Sequence, residues 1–205
     1  SANGKVGKCA KLETRSTGEF GNMVGMPIAA GNLFIGNFSI LNAIADPLGA
    51  TRFGTPFYNK PLRLTGYYKY KSGEKFYEHG EYTSRKDIFN IYAIFYDGVK
   101  YDSAGKRTDV TLDGNLPNQN YEHPNMVALA LVSNPQETEG DEWKFFDIPF
   151  DYQRYGKKID EARLAKGEYK IGIIFASSKD GATFEGAPGS TLLIDEVELI
   201  CEEDL

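Results

Sequence analysis

The chain has 205 residues, of which 13% are aromatic and 22 are glycine, with a formal charge of −6. It carries no run of five Lys or Arg, which excludes the basic footprint that nucleic acid or an anionic membrane requires. No stretch approaches 18 uninterrupted apolar residues, and Ser1-Ala2-Asn3-Gly4 lacks the charged and apolar regions of a signal peptide, so export implies a leader already removed.

Apolar residues recur with a period of two along the whole length, while no i, i+3, i+4, i+7 stripe outlasts about two turns. The pattern predicts an all-β single domain over 1–205 and no helix. In chain order the predicted strands are Lys8–Thr14, Leu33–Ile40, Pro61–Tyr70, Asp87–Tyr96, Met126–Val132, Trp143–Phe150, Glu168–Ala176 and Thr191–Cys201. Turn-formers separate them, among them Asp46-Pro47-Leu48-Gly49, Lys71-Ser72-Gly73, Asp97-Gly98, Asn134-Pro135 and Lys179-Asp180-Gly181. The polar segment Gly98–Asn125, broken by Gly105, Pro117 and Pro124, is too long for a turn and reads as a surface excursion with a small hairpin.

Alternation assigns faces. Phe89, Ile91, Ala93 and Phe95 must look into the core, which turns Asn90, Tyr92 and Tyr96 outward. Likewise Leu62, Leu64, Gly66, Tyr68 and Tyr70 form an inner set, leaving Arg63, Thr65, Tyr67 and Lys69 outside. Cys9 and Cys201 lie near opposite chain ends. A bridge between them would contribute ~5 kcal/mol, yet Cys9 alternates with Lys11 and Glu13 and faces out while Cys201 faces in, so the residues leave the pairing open.

Catalytic motifs are missing from the sequence. There is no G-x-S-x-G elbow, Ser190 has no nearby His, and Gly98…Gly105-Lys106-Arg107 is not a phosphate loop. His79 and His123, the only histidines, lack ligand spacing and read as surface residues. Glycoside hydrolysis needs two carboxyls about 5–5.5 Å or about 6.5–9.5 Å apart, and among 29 acidic residues no pair can be nominated.

The most informative stretch is Ser177-Ser178-Lys179-Asp180-Gly181-Ala182-Thr183-Phe184-Glu185-Gly186, running through Gly189-Ser190 into Ile194-Asp195-Glu196-Val197. Asp195 shares a predicted apolar face with Leu193, Val197 and Leu199, so it must be partnered. Two readings follow: it caps nearby loop N–H groups, or it ligates a structural Ca2+.

Ala10-Lys11-Leu12-Glu13-Thr14, Pro27-Ile28-Ala29-Ala30-Gly31-Asn32-Leu33-Phe34, Phe53-Gly54-Thr55-Pro56-Phe57, Gly66-Tyr67-Tyr68-Lys69-Tyr70 and the C-terminal stretch together resemble the carbohydrate metabolism domain family, PCMD, over nearly the whole chain. The Ile194-Asp195-Glu196-Val197 ending is also similar to the last strand of jelly-roll carbohydrate-binding modules. The resemblance implies a jelly-roll-like β-sandwich of two antiparallel sheets in an exported bacterial protein at the cell surface, outer membrane or periplasm, working with other surface glycan-utilisation proteins. Domains of this kind usually have a further strand before Lys8, with a Trp and acidic residues, and often an upstream Ig-like domain. Asp102-Ser103-Ala104 and Asn37-Phe38-Ser39 are similar to glycosylation acceptors of exported proteins.

On this footing a polysaccharide or oligosaccharide is the expected partner. Arg63, Tyr67, Asn90, Tyr92 and Tyr96 offer ring faces and hydrogen-bonding groups for it. Trp143, the only Trp, is either a sugar platform or a core anchor. A glycoside hydrolase or lyase and a structural or adhesive surface module are the alternatives.

Overall fold

A computed structural model describes residues 2–41, 43 and 45–202. Nine strands build the frame: β1 (Lys8–Glu13), β2 (Asn32–Phe34), β3 (Thr55–Phe57), β4 (Pro61–Lys71), β5 (Asn90–Asp97), β6 (Met126–Leu131), β7 (Lys144–Pro149), β8 (Tyr169–Ala176) and β9 (Thr191–Cys201). The first sheet runs β1-β9-β4-β7, with Ala2–Asn3 added outside β1. The second runs β6-β5-β8, and β2 and β3 share the remaining edge of β8. Every pairing in these two sheets is antiparallel, as the all-β sandwich reading requires.

The predicted inner faces hold except at Leu62, which is partly exposed and outside the core. Leu64, Tyr68 and Tyr70 of β4, with Ile91, Ala93 and Phe95 of β5 and Phe89 just before it, pack between the sheets with Phe146, Ile148, Ile171, Ile173, Leu192 and Ile194. Tyr68 and Tyr70 flank the Phe89 ring at 4.7 and 4.9 Å between centroids. Gly66 interrupts this face because a Cβ there would come within 2.6 Å of the Phe146 ring.

The outward assignment of Asn90, Tyr92 and Tyr96 is corrected. Tyr92 and Tyr96 are 3% and 0% exposed, and Asn90 is buried beside them. Sheet two has a second core on its far side, where Tyr92, Ile94 and Tyr96 meet Phe53, Leu112, Leu116, Tyr121 and Ile174. The 98–125 excursion is therefore a lid. Its Val99–Tyr101 and Arg107–Asp109 strands form the expected small hairpin, but Leu112, Leu116 and Tyr121 turn down onto sheet two.

Other expectations change as well. The run Leu33–Ile40 is two strands: Asn32–Phe34 joins β8, and Gly36–Phe38 leaves to pair with Thr51–Phe53 in a ribbon completed by Leu112–Asp113. Gly36 makes the crossing, since its Cβ would lie 2.0 Å from the Arg52 carbonyl oxygen. Short helices occur at Gly18–Met23 and Glu161–Leu164. Neither is long enough to show an apolar period, although Asp160 caps the second through its side chain to Arg163 N–H.

In β9 the register passes from Asp195 opposite Tyr67 to Glu198 opposite Thr65, so one extra residue forms a bulge, with Glu196 at φ 49°. The bulge switches faces. Leu192 and Ile194 point inward before it and Leu199 packs on the core after it, so Asp195 does not share a face with Leu199 as alternation suggested. Cys201 is buried as expected; Cys9, expected outside, is buried beside the Ala2–Asn3 strand that pairs with it, and no disulfide joins the two.

Candidate functional site

The predicted site residues fall on two different surfaces. Arg63, Tyr67 and Trp143 lie together on the open face of sheet one, whereas Asn90, Tyr92 and Tyr96 lie on the far side of sheet two. The two sets are separated by the sandwich, whose sheets stack roughly 10 Å apart. On the open face the polar and aromatic groups already engage one another. Arg63 donates to Asp147 through Nε and one terminal nitrogen, at 2.7 and 2.5 Å. Lys5 sits 4.1 Å above the Tyr67 ring and Lys69 sits 4.9 Å above Trp143. Tyr67 also packs on Phe145 at 5.1 Å, and Phe145 is the large ring left exposed. Trp143 is thus half-buried at the sheet surface and is not a member of the core.

Asp195 accepts the Val6 N–H at 3.0 Å, and main-chain N–H groups, Val6 first, hold its carboxyl below the ordinary aspartate range. This is the capping geometry: the Asp195 carboxylate draws the Gly4–Gly7 turn against β9, so close that a Cβ on Gly4 would meet it at 2.5 Å. Among the described residues no group of three or more His, Cys, Asp or Glu side chains is placed to hold a metal ion.

Concave surface gathers instead around the C-terminal stretch that stood out in the sequence. After β8 the chain makes a tight helical turn, Lys179–Thr183, and reverses at Phe184, φ 60°. Beneath this loop Asp87, only 2% exposed, accepts hydrogen bonds from Ser178 Oγ (2.5 Å), Ser190 Oγ (2.7 Å), Ala187 N (2.8 Å) and Ile88 N (2.9 Å). Burial raises its carboxyl above the usual range, and these donors offset part of that rise. Asp87 therefore works as the knot that fixes the loop to the frame.

Beside the loop stands a hairpin, Phe76–Glu78 with Glu81–Thr83, whose turn residues His79 and Gly80 both have positive φ, 51° and 93°. That is the two-residue turn geometry best matched to strand twist. Tyr77 and Gly186 exchange main-chain hydrogen bonds of 2.9 and 3.1 Å, and Arg85 ties Glu78 to Asp180 at 2.9 and 2.5 Å. Arg85 holds the Glu78 carboxyl below its ordinary value.

Between hairpin and loop opens a polar cleft of about 510 Å3 bordered by Tyr77, Tyr82, His79, Glu185, Asn22 and Ser16. The two tyrosine rings meet edge to face at 5.2 Å, and Glu185 Oε1 accepts the His79 N–H at 3.3 Å while lying 3.3 Å from its ring Nδ1. A second cleft, of about 460 Å3, lies over sheet two with Tyr92, Asn90 and Ile174 on its floor and Phe34, Phe53, Leu48, Phe38, Phe20 and Val24 around it. Asn90 Nδ2 donates to Tyr121 Oη at 2.9 Å, and Tyr96 is sealed below, donating to the Phe53 carbonyl at 2.7 Å. Phe184 borders both clefts.

Residues 1–200 match the family described as "Putative carbohydrate metabolism domain". The chain belongs to this family. Two crystal structures resemble the domain throughout. One is a "putative glycoside hydrolase from Bacteroides vulgatus" at 53% identity and TM-score 0.89, covering 98% of this chain and 76% of its own. The other is a "putative glycoside hydrolase from Bacteroides thetaiotaomicron" at 50% identity and TM-score 0.87, covering 98% of this chain and 55% of its own. No curated protein matches the chain. This carbohydrate metabolism domain thus spans three quarters of one relative and about half of the other.

Of the residues expected to serve the domain, Asn90 and Tyr92 reach a cleft, as buried floor, and Tyr96 does not. Tyr77, His79, Tyr82, Phe184 and Glu185, which border the polar cleft, were not among the residues expected to serve the domain. A signal for the first three was present: Phe76-Tyr77-Glu78 and Glu81-Tyr82-Thr83 flank a two-residue turn, but its His79-Gly80 lacks the Asn or Asp that usually marks one.

Proposed function

We propose that this domain binds a saccharide in the polar cleft, within an exported bacterial protein of the cell surface or outer membrane that handles polysaccharide. The observation that carries the reading is the lining of that cleft, where Tyr77 and Tyr82 stand beside His79, Glu185 and Asn22. Sugars combine flat C–H faces with hydroxyl rims, and this set offers rings for the first and both donors and acceptors for the second. Affinity needs several of them at once. Burying roughly 100 Å2 against one ring gives about 2.5 kcal/mol, whereas association costs at least about 4 kcal/mol. The exposed Tyr82, at 55%, is free to take a ring, and the stapled hairpin limits the ordering cost.

Hydrolysis is the second reading, favoured by the two Bacteroides relatives, each described as a "putative glycoside hydrolase". Binding is preferred because a general acid needs a raised carboxyl that reaches substrate. Asp87 has the raised carboxyl, but it is closed in by four donors, and Glu78 is held ionised by Arg85. The test is a glycan array on the purified domain, with and without EDTA, each hit then followed by chromatography for cleavage. Intact binding that weakens about tenfold or more in Tyr82→Ala, with unchanged thermal stability, supports the proposal. Cleavage of a hit transfers the assignment to a hydrolase, and binding indifferent to Tyr82 removes the cleft from it. Loss of binding in EDTA identifies a required cation and makes Asp195 the first residue to replace.

A further inference from the structure

The second cleft is lined mainly by apolar side chains. Its floor is Tyr92 and Ile174 with Asn90, whose amide already donates to Tyr121, while Thr17, Asn32, Thr51 and Lys179 reach its walls. Its volume, about 460 Å3, lies within the range of small-molecule sites, roughly 300–1,000 Å3. At its border Phe20 and Phe38 are left 69% and 53% exposed, with Val24 also in water. The same two segments carry Met23, Ile40 and Leu41, all strongly exposed. Phe20, Val24 and Phe38 meet at one cleft, and exposed apolar side chains grouped in this way mark a binding surface where scattered ones do not.

Position relates this cleft to the polar one. Phe184 borders both, and the 16–28 segment contributes alternately to each: Ser16, Asn22 and Gly25 to the polar cleft, Thr17, Gly21 and Val24 to the apolar one. The partition is also rigidly packed. A Cβ on Gly21 would fall 1.8 Å from Thr17 Oγ1, and Thr17 Oγ1 donates to the Met26 carbonyl at 2.5 Å.

We propose that the apolar cleft takes the alkyl or acyl chain of a glycoconjugate whose saccharide occupies the polar cleft, the two parts crossing at Phe184. This rests on the saccharide reading above. An extended chain fits better than a compact aryl group, because the exposed apolar side chains continue past the border of the cleft along both segments. The ligand class is an amphiphilic glycoside, with its head in the Tyr77, Tyr82 and Glu185 cleft and its tail over Tyr92.

The test is calorimetric titration with paired methyl and octyl β-glycosides of glucose, galactose and mannose, below the micelle concentration, with 1-octanol as the apolar probe alone. The expected result is an octyl glycoside that binds at least about tenfold tighter than both its methyl partner and octanol, since each buried methylene adds favourable transfer. Phe20→Ser with Phe38→Ser should abolish that advantage while leaving methyl glycoside affinity and melting temperature unchanged, because both rings are largely in water. Equal binding of methyl and octyl forms overturns the inference and leaves the saccharide reading standing. Binding of octanol as tight as any glycoside, with no methyl glycoside bound, overturns the coupling between the clefts and counts against the saccharide reading too. Failure of every octyl probe, with or without dimerisation in sedimentation through the same face, overturns the inference as well.

Discussion

Replacing Asp87 with Ala removes one carboxylate and strands four donors: Ser178 Oγ, Ser190 Oγ, Ala187 N and Ile88 N. Hydrogen bonds to a charged acceptor are worth about 1.5–3 kcal/mol each, and an orphaned buried N–H costs about 1–3 kcal/mol. The four do not simply add. Ser178 Oγ lies 2.6 Å from Thr14 Oγ1 and can turn its proton there, while Ser190 Oγ keeps the Gly73 N–H it accepts at 2.9 Å and its hydroxyl is free to rotate. Removing a carboxyl whose ionisation is penalised by burial recovers part of the loss as well. The Ala187 N–H has no such freedom. A net loss of about 3–5 kcal/mol is expected, as for breaking other buried charged networks. For a domain of this size that corresponds to a fall in melting temperature of roughly 6–20 °C. Asp87→Asn keeps the volume but turns an NH2 toward some of those donors. The hydroxyls can reverse to accept it and Ala187 N–H cannot, so about 1–3 kcal/mol is expected. Urea denaturation followed by tryptophan fluorescence and circular dichroism measures both. If Asp87→Ala costs under about 1 kcal/mol, the carboxylate is not what fixes the loop and the argument from its four donors fails.

Gly66→Ala should destabilise by about 1–3 kcal/mol by overpacking, since the new methyl would press on Phe146 and on the Val197 main chain; equilibrium denaturation within 0.5 kcal/mol of the parent, roughly the surface-substitution range, would show that the sheet yields there. Glu168 lies between Arg163, at 2.6 Å, and the Tyr101 hydroxyl, at 2.7 Å, and these hold its carboxyl below the ordinary glutamate range. A depressed folded-state value means stability that is fully present above the unfolded value, about 4.3, and lost as pH falls through the folded one. Glu168→Gln should therefore flatten the acid limb of a stability-against-pH curve, and an unchanged limb refutes it. Because Cys9 and Cys201 are not bridged, a reductant should leave the melting temperature unchanged, and thiol titration of the unfolded chain should return two thiols; a reductant-dependent drop would reveal the long-loop crosslink.

Alternation was a reliable guide wherever one face of a strand meets the sandwich core. The inner sets of β4 and β5 follow it from Leu64 onward, Leu62 alone being left partly exposed at the strand end. It failed where the other parity is buried too. Asn90, Tyr92 and Tyr96 look amphipathic and so look outward, but their polar ends find Tyr121 and the Phe53 carbonyl in a second apolar layer supplied by chain far away in sequence. Such a layer leaves no local mark, because Leu112, Leu116 and Tyr121 sit singly among turn residues. The β9 bulge was equally hidden. Its positive φ falls on Glu196, where a glycine would have announced it, so carrying one parity across it put Leu193 and Asp195 on the face of Leu199, when Leu192 and Ile194 hold that face before the bulge. The site was legible as a segment, the stretch from Ser177 to Gly186, and not as side chains, because its partner hairpin has charged and aromatic residues on both parities.

The double burial of sheet two divides labour between the parts of the apolar cleft. Tyr92 and Ile174, on the floor of the cleft, share their strands with Ile91, Ala93, Ile173 and Phe175, which hold the sandwich together. The surrounding Phe20, Val24 and Phe38 belong to peripheral segments whose exposed side chains bear little of the fold. Such a cavity has a floor too costly to alter and walls that are cheap to alter. Over evolutionary time its selectivity can drift through those segments alone, while the platform beneath stays constant and each new preference is tried without risking the fold.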